Sequence, residues 1–326
     1  MNIECDPVRA NAEAIWKTVR PDGRRPLQVT TLKPPHRKSA VYRLVGAGPN
    51  GANVIAKRAR RSTIETERRV HQEVLSVLPV SALLLYAAAD DEDERYGWLF
   101  LEDAGDLEWS PEPAEYRALA AKWFAQVHLG AVSLVGKVAL PWLGAAYYVD
   151  LVRAARETVS IGLANDALSA GDRELLRQFE ADCVVLQTRW SALESVMSGV
   201  PSTLSLPGLG VKNARVRIAE SGLELLAFDF ESAFFGPALI ELYHVDTSVY
   251  SKTVGQSWAI DKEAIEVLAR LGGAFGAMKS IPGERPTLMS AWPERSIRKL
   301  VYYSGQVAEA LQALGLPQRG CIRHGS

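Results

Sequence analysis

The segment from Pro201 to Pro237 constrains the fold of this chain more than any other segment. An irregular loop rich in proline and glycine leads to Asn213, and two short apolar runs follow, joined by a turn at Ser221-Gly222. The second run ends at Asp229. This pattern predicts a hairpin with a carboxylate at the end of its second strand. The amide oxygen of Asn213 and the carboxylate of Asp229 are hard ligands of the kind that magnesium prefers.

This segment resembles the catalytic and metal-binding region of the aminoglycoside phosphotransferase and choline kinase superfamily, relatives of the protein kinases. In that family a loop of the form H-G-D-x-x-x-x-N precedes a hairpin and the motif [IV]-D-[FW]-E. Asn213 and Asp229 stand at the two metal-binding positions, and Glu231 stands at the acidic end of the second motif. The resemblance implies that Asn213 and Asp229 hold Mg²⁺.

The catalytic loop departs from the family pattern. Gly208 stands five residues before Asn213, where the family has its catalytic aspartate, and Leu206 and Pro207 replace the family's His and Gly. The resemblance therefore implies that the metal ligands are kept and that the catalytic base is lost at Gly208. Glu231 is a candidate to supply part of the missing base function.

Composition excludes several classes of protein. The 326 residues carry a formal net charge of −1, so no overall basicity points to nucleic acid or to an anionic membrane. Three distant cysteines without a C-x-x-C motif argue for a reducing compartment and against a disulfide framework or zinc site. The polar N-terminus is unlike a signal peptide, and the longest apolar run is shorter than the roughly 20 residues that a membrane helix needs. We expect a cytoplasmic protein without nucleic-acid or membrane partners.

A lysine and a glutamate in the N-terminal part are candidates for nucleotide binding. The run from Asn53 to Ala59 predicts a strand that Lys57 interrupts. Ser62-Thr63-Ile64-Glu65 reads as a capping box, which predicts a helix to about Leu78 with Glu67 on its buried side. The resemblance implies that Lys57 contacts the α- and β-phosphates of ATP and that Glu67 holds the Lys57 side chain in position. A lysine marking the point where the strand meets water is the alternative.

Three more residues are candidates for contacts with ATP. Predicted strands at Leu27–Leu32 and Ala40–Val45 flank a basic linker that ends at Ser39. In kinase-like folds such a linker covers the phosphates, and a solvated hairpin tip is the alternative. The sequence YGWLFLEDAGD resembles the hinge of the family, where backbone groups of Glu102 and Ala104 would bond the adenine edge.

Beyond Asp103 the sequence turns helical. Apolar periodicity predicts helices from Ser110 to about Gly130, from Leu176 to Met197, over Ala264–Leu271 and over Ile297–Leu314. With the resemblance, this predicts an α+β, two-lobed protein-kinase-like fold. Residues 1–103 form the N-terminal nucleotide-binding lobe, an antiparallel sheet plus helix. Residues 104–326 form the mostly helical C-terminal lobe with the catalytic and metal-binding loop.

Two functions remain open at this point. The first is an ATP- and magnesium-dependent phosphotransferase acting on a hydroxyl group of a small molecule or peptide. Its missing base would come from Glu231, from the substrate or from a protein partner. The second is a pseudokinase that serves as the nucleotide-binding or scaffold subunit of a modifying complex.

Overall fold

The structure is a computed structural model that describes residues 7–35, 39–208, 210, 212–220 and 222–316. Backbone packing divides the chain into two compact units. The sheet unit comprises Met1–Leu119, Gly136–Leu140 and Gly208–Ala233, and the helical unit comprises Ala120–Val135, Pro141–Pro207 and Phe234–Ser326. The basic residues of the predicted phosphate-covering linker, 36–38, lie outside the described residues. The predicted lobe boundary after Asp103 stays a prediction.

The sheet unit contains a five-stranded antiparallel sheet with the strand order β1-β2-β3-β5-β4. Its strands are β1 (Gln28–Lys33), β2 (Ser39–Val45), β3 (Val54–Arg60), β4 (Leu85–Asp90) and β5 (Tyr96–Glu102). Strands β1, β2 and β3 were predicted to within a few residues. The α+β fold class is confirmed.

A helix covers each face of this sheet. Helix α1 (Pro7–Val19) packs Ala12 and Trp16 on one face, against alternate residues of the strands such as Tyr42. Helix α2 (Arg61–Arg69) packs Ile64 on the other face, against Ala59, Leu99 and Leu101. Because side chains alternate along a strand, Lys57 lies on the same face as Ala59, the face that α2 covers.

Helix α2 begins and ends differently from the sequence prediction. The chain passes directly from the last residue of β3 into the helix, so Ser62 is already helical and the predicted capping box is wrong; Arg60 is the N-cap and makes no side-chain capping bond. After Arg69 the helix continues as a π-helical turn, Val70–Val74, and a 3₁₀ turn, Leu75–Val77. π-Turns inside helices occur frequently at functional sites.

The predicted hairpin also belongs to the sheet unit. Strands β7 (Ala214–Ala219) and β8 (Gly222–Ala227) pair antiparallel with Ala214 opposite Ala227. The short strands β6 (Thr203–Ser205) and β9 (Phe234–Gly236) pair with each other in the helical unit. Strand β8 ends at Ala227, so the hairpin places Asp229 two residues beyond its second strand.

The remaining helices differ from the prediction in number and in their ends. They are α3 (Ala114–Ala131), α4 (Ala145–Gly162), α5 (Ala170–Thr188), α6 (Trp190–Ser198), α7 (Thr247–Trp258), α8 (Lys262–Ser280), α9 (Arg285–Leu288) and α10 (Glu294–Ala313). Helix α3 begins at Ala114 and not at Ser110 as predicted, and the Glu112 N–H donates to the Ser110 hydroxyl in the segment before it. The predicted single helix from Leu176 to Met197 is two helices, broken at Arg189.

Apolar periodicity predicted which residues are buried more reliably than it predicted where the helices begin and end. Most of the periodic apolar residues between Leu176 and Met197 are buried, and Cys183 is buried among them. Among the described residues, no helix is long and apolar enough to cross a membrane.

Candidate functional site

Lys57 is the centre of the candidate site in the sheet unit. Its ammonium nitrogen lies 2.5 Å from Glu67 Oε1 and 2.5 Å from Asp229 Oδ1. Only 9% of the residue is exposed. Burial acts to lower the pKa of Lys57, but the two carboxylates outweigh it and raise the pKa above its ordinary value. The structure thus brings together three of the residues that the sequence singled out, from β3, α2 and the end of the hairpin.

Glu67 projects from α2 toward Lys57 and is fully buried. Burial raises the pKa of its carboxyl to about 7, and the ammonium of Lys57 opposes this shift. Its second oxygen, Oε2, has no hydrogen-bond partner in the part of the chain that the structure describes. An uncompensated buried carboxylate is costly, and the Lys57 contact favours the charged form of Glu67 at this position.

Asp229 has an unusual backbone conformation. Its φ is +67°, in the left-handed region that residues other than glycine seldom adopt and that aspartate tolerates better than most. Such conformations carry a local cost and cluster at functional sites. Its side chain is 36% exposed, while one of its oxygens contacts buried Lys57. The Asp229 carboxylate therefore contacts the buried Lys57 and also reaches the surface of the sheet unit.

Asn213 closes the loop that carries Gly208, the position where the resemblance predicts a base to be missing. Its side-chain nitrogen donates to the carbonyl of Gly208 at 2.8 Å, and its own backbone carbonyl accepts from Phe228 N–H at 3.0 Å. A Cβ added to Gly208 would lie 3.6 Å from the Asn213 amide nitrogen and 3.9 Å from the Asp229 carbonyl oxygen. Gly208 is thus adjacent to both predicted metal ligands.

One of the two predicted hinge residues, Glu102, makes other contacts. The Glu102 N–H donates to the carbonyl of Leu84 at 2.8 Å, and the Glu102 carboxylate pairs with Arg217 of β7 at 2.6 Å. The Glu102 N–H therefore cannot also serve an adenine edge without breaking a bond. Ala104, two residues later, is partly exposed, and its role stays a prediction.

The other two candidates lie at the surface. The hydroxyl of Ser39 accepts a hydrogen bond from Lys33 Nζ at 2.6 Å, across the ends of β1 and β2. Glu231 is exposed, and its charge is one of the smaller influences that raise the pKa of Glu67. Glu231 thus lies near the carboxylate cluster without a described ion pair of its own.

The donor atoms present suit a magnesium ion bound together with phosphates. Mg²⁺ is commonly held by one or two carboxylates and completes its shell with water and substrate phosphate oxygens. Asp229 offers a half-exposed carboxylate and Asn213 an amide oxygen, both beside Gly208. No group of three or more His, Cys, Asp or Glu side chains within the described ranges is arranged to hold a metal ion. The residues fit a shared metal–phosphate site and not an all-protein metal cage.

Sequence reasoning missed His71 at the edge of this site. His71 lies in the π-turn that follows α2, is buried, and packs its ring 5.2 Å from the ring of Phe230. Burial lowers the pKa of His71 to about 4, and the charge of Lys57 acts in the same direction. Its position one helical turn beyond Glu67 was a signal that could have identified it.

Glu241 is a buried carboxylate of the helical unit whose burial the sequence did not indicate. Its Oε1 accepts the Leu206 N–H at 2.8 Å, and its Oε2 lies 3.3 Å from the Ser205 hydroxyl. His128 Nε2 lies 3.6 Å from Glu241 Oε1, while His128 Nδ1 is 2.7 Å from the Tyr250 hydroxyl. His128 is therefore a packed, hydrogen-bonded residue of the helical unit.

Solved phosphotransferase structures share this fold. The GDP complex of wild-type aminoglycoside 2'-phosphotransferase-IIIa superposes with a TM-score of 0.63 at 10% identity, covering 91% of this chain and 98% of that one. Spectinomycin phosphotransferase with ADP and spectinomycin gives 0.57 at 10% identity, over 94% and 98%. Choline kinase from Cryptosporidium parvum gives 0.57 at 10% identity, over 89% and 91%. These superpositions show that the chain has the protein-kinase-like α+β fold of these phosphotransferases. No protein-family model and no curated protein sequence matches the chain.

Proposed function

We propose that this protein binds a magnesium–nucleotide complex, with ATP as the nucleotide, and transfers its terminal phosphoryl group to a hydroxyl of a small molecule or peptide. The observation that carries the proposal is the contact of Lys57 with both Glu67 and Asp229 at 2.5 Å. A buried lysine shared by two carboxylates from separate segments is a costly arrangement in a protein that does not use it.

Each residue has a specific task in this proposal. Lys57 exchanges Asp229 for the α- and β-phosphates, while Glu67 holds its ammonium in place. Asp229 and Asn213 would hold Mg²⁺ through their side-chain oxygen atoms. When bound, the metal neutralises charge on the phosphates and aligns the transferred group.

The absent base limits the rate without preventing the reaction. Phosphoryl transfer depends mainly on positioning and electrostatic stabilisation. General-base assistance contributes about 10²–10⁴, or roughly 3–5 kcal/mol of barrier. Glu231, the acceptor itself or a protein partner supplies part of that contribution in the phosphotransferase proposal. The phosphotransferases of similar fold are named for aminoglycoside, spectinomycin and choline, which are hydroxyl-bearing acceptors.

The pseudokinase remains the second candidate because of Gly208. Gly208 offers no carboxylate where the fold would place its base, so the protein would serve as a nucleotide-binding or scaffold subunit of a modifying complex. The proposed location for either function is the cytoplasm, a reducing compartment that supplies ATP.

A thermal-shift and calorimetric titration with ATP, with and without Mg²⁺, tests nucleotide binding. ATP at about 100 times its Kd should stabilise the parent by roughly 2.7 kcal/mol. Lys57→Ala should weaken this effect, and Asp229→Asn should remove its dependence on Mg²⁺. Arg60→Ala is the matched control, since Arg60 is an exposed cation on the same strand. A parent that shows no shift at millimolar ATP would refute the phosphotransferase and leave the nucleotide-free scaffold.

A further inference from the structure

Arg43 makes an unexpected connection across the sheet unit. It lies on β2, and its guanidinium pairs with two carboxylates of the segment that follows β5. Nε lies 2.6 Å from Asp103 Oδ2, and Nη2 lies 2.7 Å from Asp106 Oδ1. The side chains of Arg43 and Asp103 are 21% and 10% exposed, whereas Asp106 is 86% exposed. The Arg43–Asp103 part of the bridge is therefore shielded from solvent.

The register of the sheet shows what this bridge crosses. Arg43 pairs with Ile55 of β3, and Ile55 pairs with Leu101 of β5. Neighbouring strands are about 4.8 Å apart, so β2 and β5 are separated by two such spacings with β3 between them. Since Asp103 follows the end of β5, the Arg43 side chain must pass across β3 at Ile55 to reach it.

The crossing lies on the face that carries Lys57. Val41 pairs with Lys57, and Arg43 pairs with Ile55. Because residues two apart on a strand point to the same side, these two pairs form adjacent rows on one face of the sheet. The rows are two residues apart, about 6.6 Å along the strands. A nucleotide with its phosphates on Lys57 and its base against the backbone after β5 would place that base in the row of Ile55.

We propose that Arg43 is the specificity-determining residue of the nucleotide site: its guanidinium, fastened to Asp103 and Asp106, occupies the place of the base. This inference rests on the proposed function, because it takes Lys57 as the phosphate contact. A phosphate donor that bears a base must release Arg43 from its carboxylates before it binds. A donor that consists of phosphates alone reaches Lys57 without disturbing the bridge.

The expected gain in affinity for ATP depends on the fraction of molecules in which Arg43 is released from its carboxylates. The apparent dissociation constant equals the intrinsic constant divided by the fraction of molecules that can bind. If the bridge is closed in about nine molecules of ten, its removal strengthens the binding of ATP about tenfold. In Arg43→Ala the removal of a cation near a polyanion acts in the opposite direction, so tighter binding of ATP by this variant is a specific sign of an opened base position.

Calorimetric titration of the full chain with Mg-ATP and, separately, with Mg-tripolyphosphate tests this proposal. Arg43→Ala and Asp103→Asn cut the bridge from its two ends. Asp106→Asn removes only its exposed branch and leaves the buried pair in place, so it stays informative if the other variants fold poorly. Arg25→Ala is the control, because it removes an arginine whose ion pair with Glu13 is exposed.

The expected result is binding of ATP about tenfold tighter in Arg43→Ala and Asp103→Asn, a smaller gain in Asp106→Asn, and unchanged affinity for tripolyphosphate. Arg25→Ala should match the parent for both ligands. Unchanged or weaker binding of ATP by Arg43→Ala, with tripolyphosphate still bound, would overturn this inference alone. Failure of the parent and every variant to bind either ligand would overturn the proposed function as well.

Discussion

The ammonium of Lys57 lies 2.5 Å from Asp229 Oδ1, although 172 residues separate the two along the chain. A second carboxylate, Glu67, lies at the same distance from the same nitrogen. One buried cation is thus shared by two carboxyl groups from separate segments. Carboxylate oxygens are ligands that Mg²⁺ prefers, so Asp229 is suited to hold a metal ion when Lys57 releases it.

Removal of the lysine should destabilise the sheet unit through the buried glutamate. Lys57→Met leaves Glu67 buried without its partner, which typically costs about 3–5 kcal/mol. The double variant Lys57→Met/Glu67→Gln should recover much of this loss because the uncompensated charge is gone. Urea unfolding monitored by circular dichroism measures both. Equal destabilisation in the single and double variants would show that lost packing, not charge, is responsible.

The buried imidazole of His71 should make the protein sensitive to acid. Burial lowers its pKa from 6.5 to about 4 in the folded state. The unfolded chain therefore binds a proton first as the pH falls, so the His71 contribution is complete above pH 6.5 and is lost between pH 6.5 and 4. The shift corresponds to about 3 kcal/mol.

His71→Leu tests this acid sensitivity, because leucine keeps an apolar side chain against Phe230. The free energy of unfolding of the variant should fall less than that of the parent between pH 6.5 and pH 4. Measuring the difference between the two proteins at each pH removes the contribution of the other titrating groups. Parallel pH profiles for parent and variant would contradict the buried, neutral imidazole.

The carboxylate of Glu241 should hold the backbone that precedes Gly208 along the chain. Glu241→Gln keeps one oxygen acceptor for the Leu206 N–H, so we expect only a small loss of stability. Glu241→Leu leaves that buried N–H without a partner, and such a group costs about 1–3 kcal/mol. Chemical denaturation of the two variants measures the difference. A leucine variant as stable as the glutamine variant would mean that the Leu206 N–H finds another acceptor.

Local patterns predicted the parts of this molecule that depend on local chemistry. The strand with Lys57, the helix with Glu67 and the hairpin that leads to Asp229 follow from alternation, periodicity and a turn. That these motifs would converge was implied by the resemblance to the phosphotransferase superfamily and not by the local patterns themselves.

The features that could not be predicted depend on contacts between distant segments. The left-handed backbone of Asp229, the bridge from Arg43 to Asp103 and the burial of Glu241 have no signature in their own neighbourhoods. The capping box failed for a different reason. Residues 62–65 match the capping-box pattern, but strand β3 continues directly into α2 without a loop. Ser62 therefore lies inside the helix and cannot cap its first turn.

The loop at Gly208 has room for the carboxylate that it lacks. The φ of Gly208 lies outside the left-handed region, so its backbone conformation accepts a side chain. A new Cβ would lie 3.6 Å from the Asn213 amide nitrogen, an ordinary van der Waals distance. Gly208→Asp should therefore fold and place a carboxylate beside both predicted metal ligands.

We expect Gly208→Asp to raise the rate of ATP hydrolysis by one or more factors of ten, up to the 10²–10⁴ of general-base catalysis. Gly210→Asp is the matched control: it adds the same charge to the same loop, but a Cβ there has no neighbour within 4 Å. Steady-state release of phosphate measures the rate, and calorimetry shows whether each variant binds Mg-ATP as the parent does. If Gly208→Asp folds and binds ATP normally but is no faster than Gly210→Asp, the loop does not direct a base at the phosphoryl acceptor, and the pseudokinase is the better description. A parent that already turns over at about 1–100 per second, the ordinary range of kinases, would instead show that another group serves as the base.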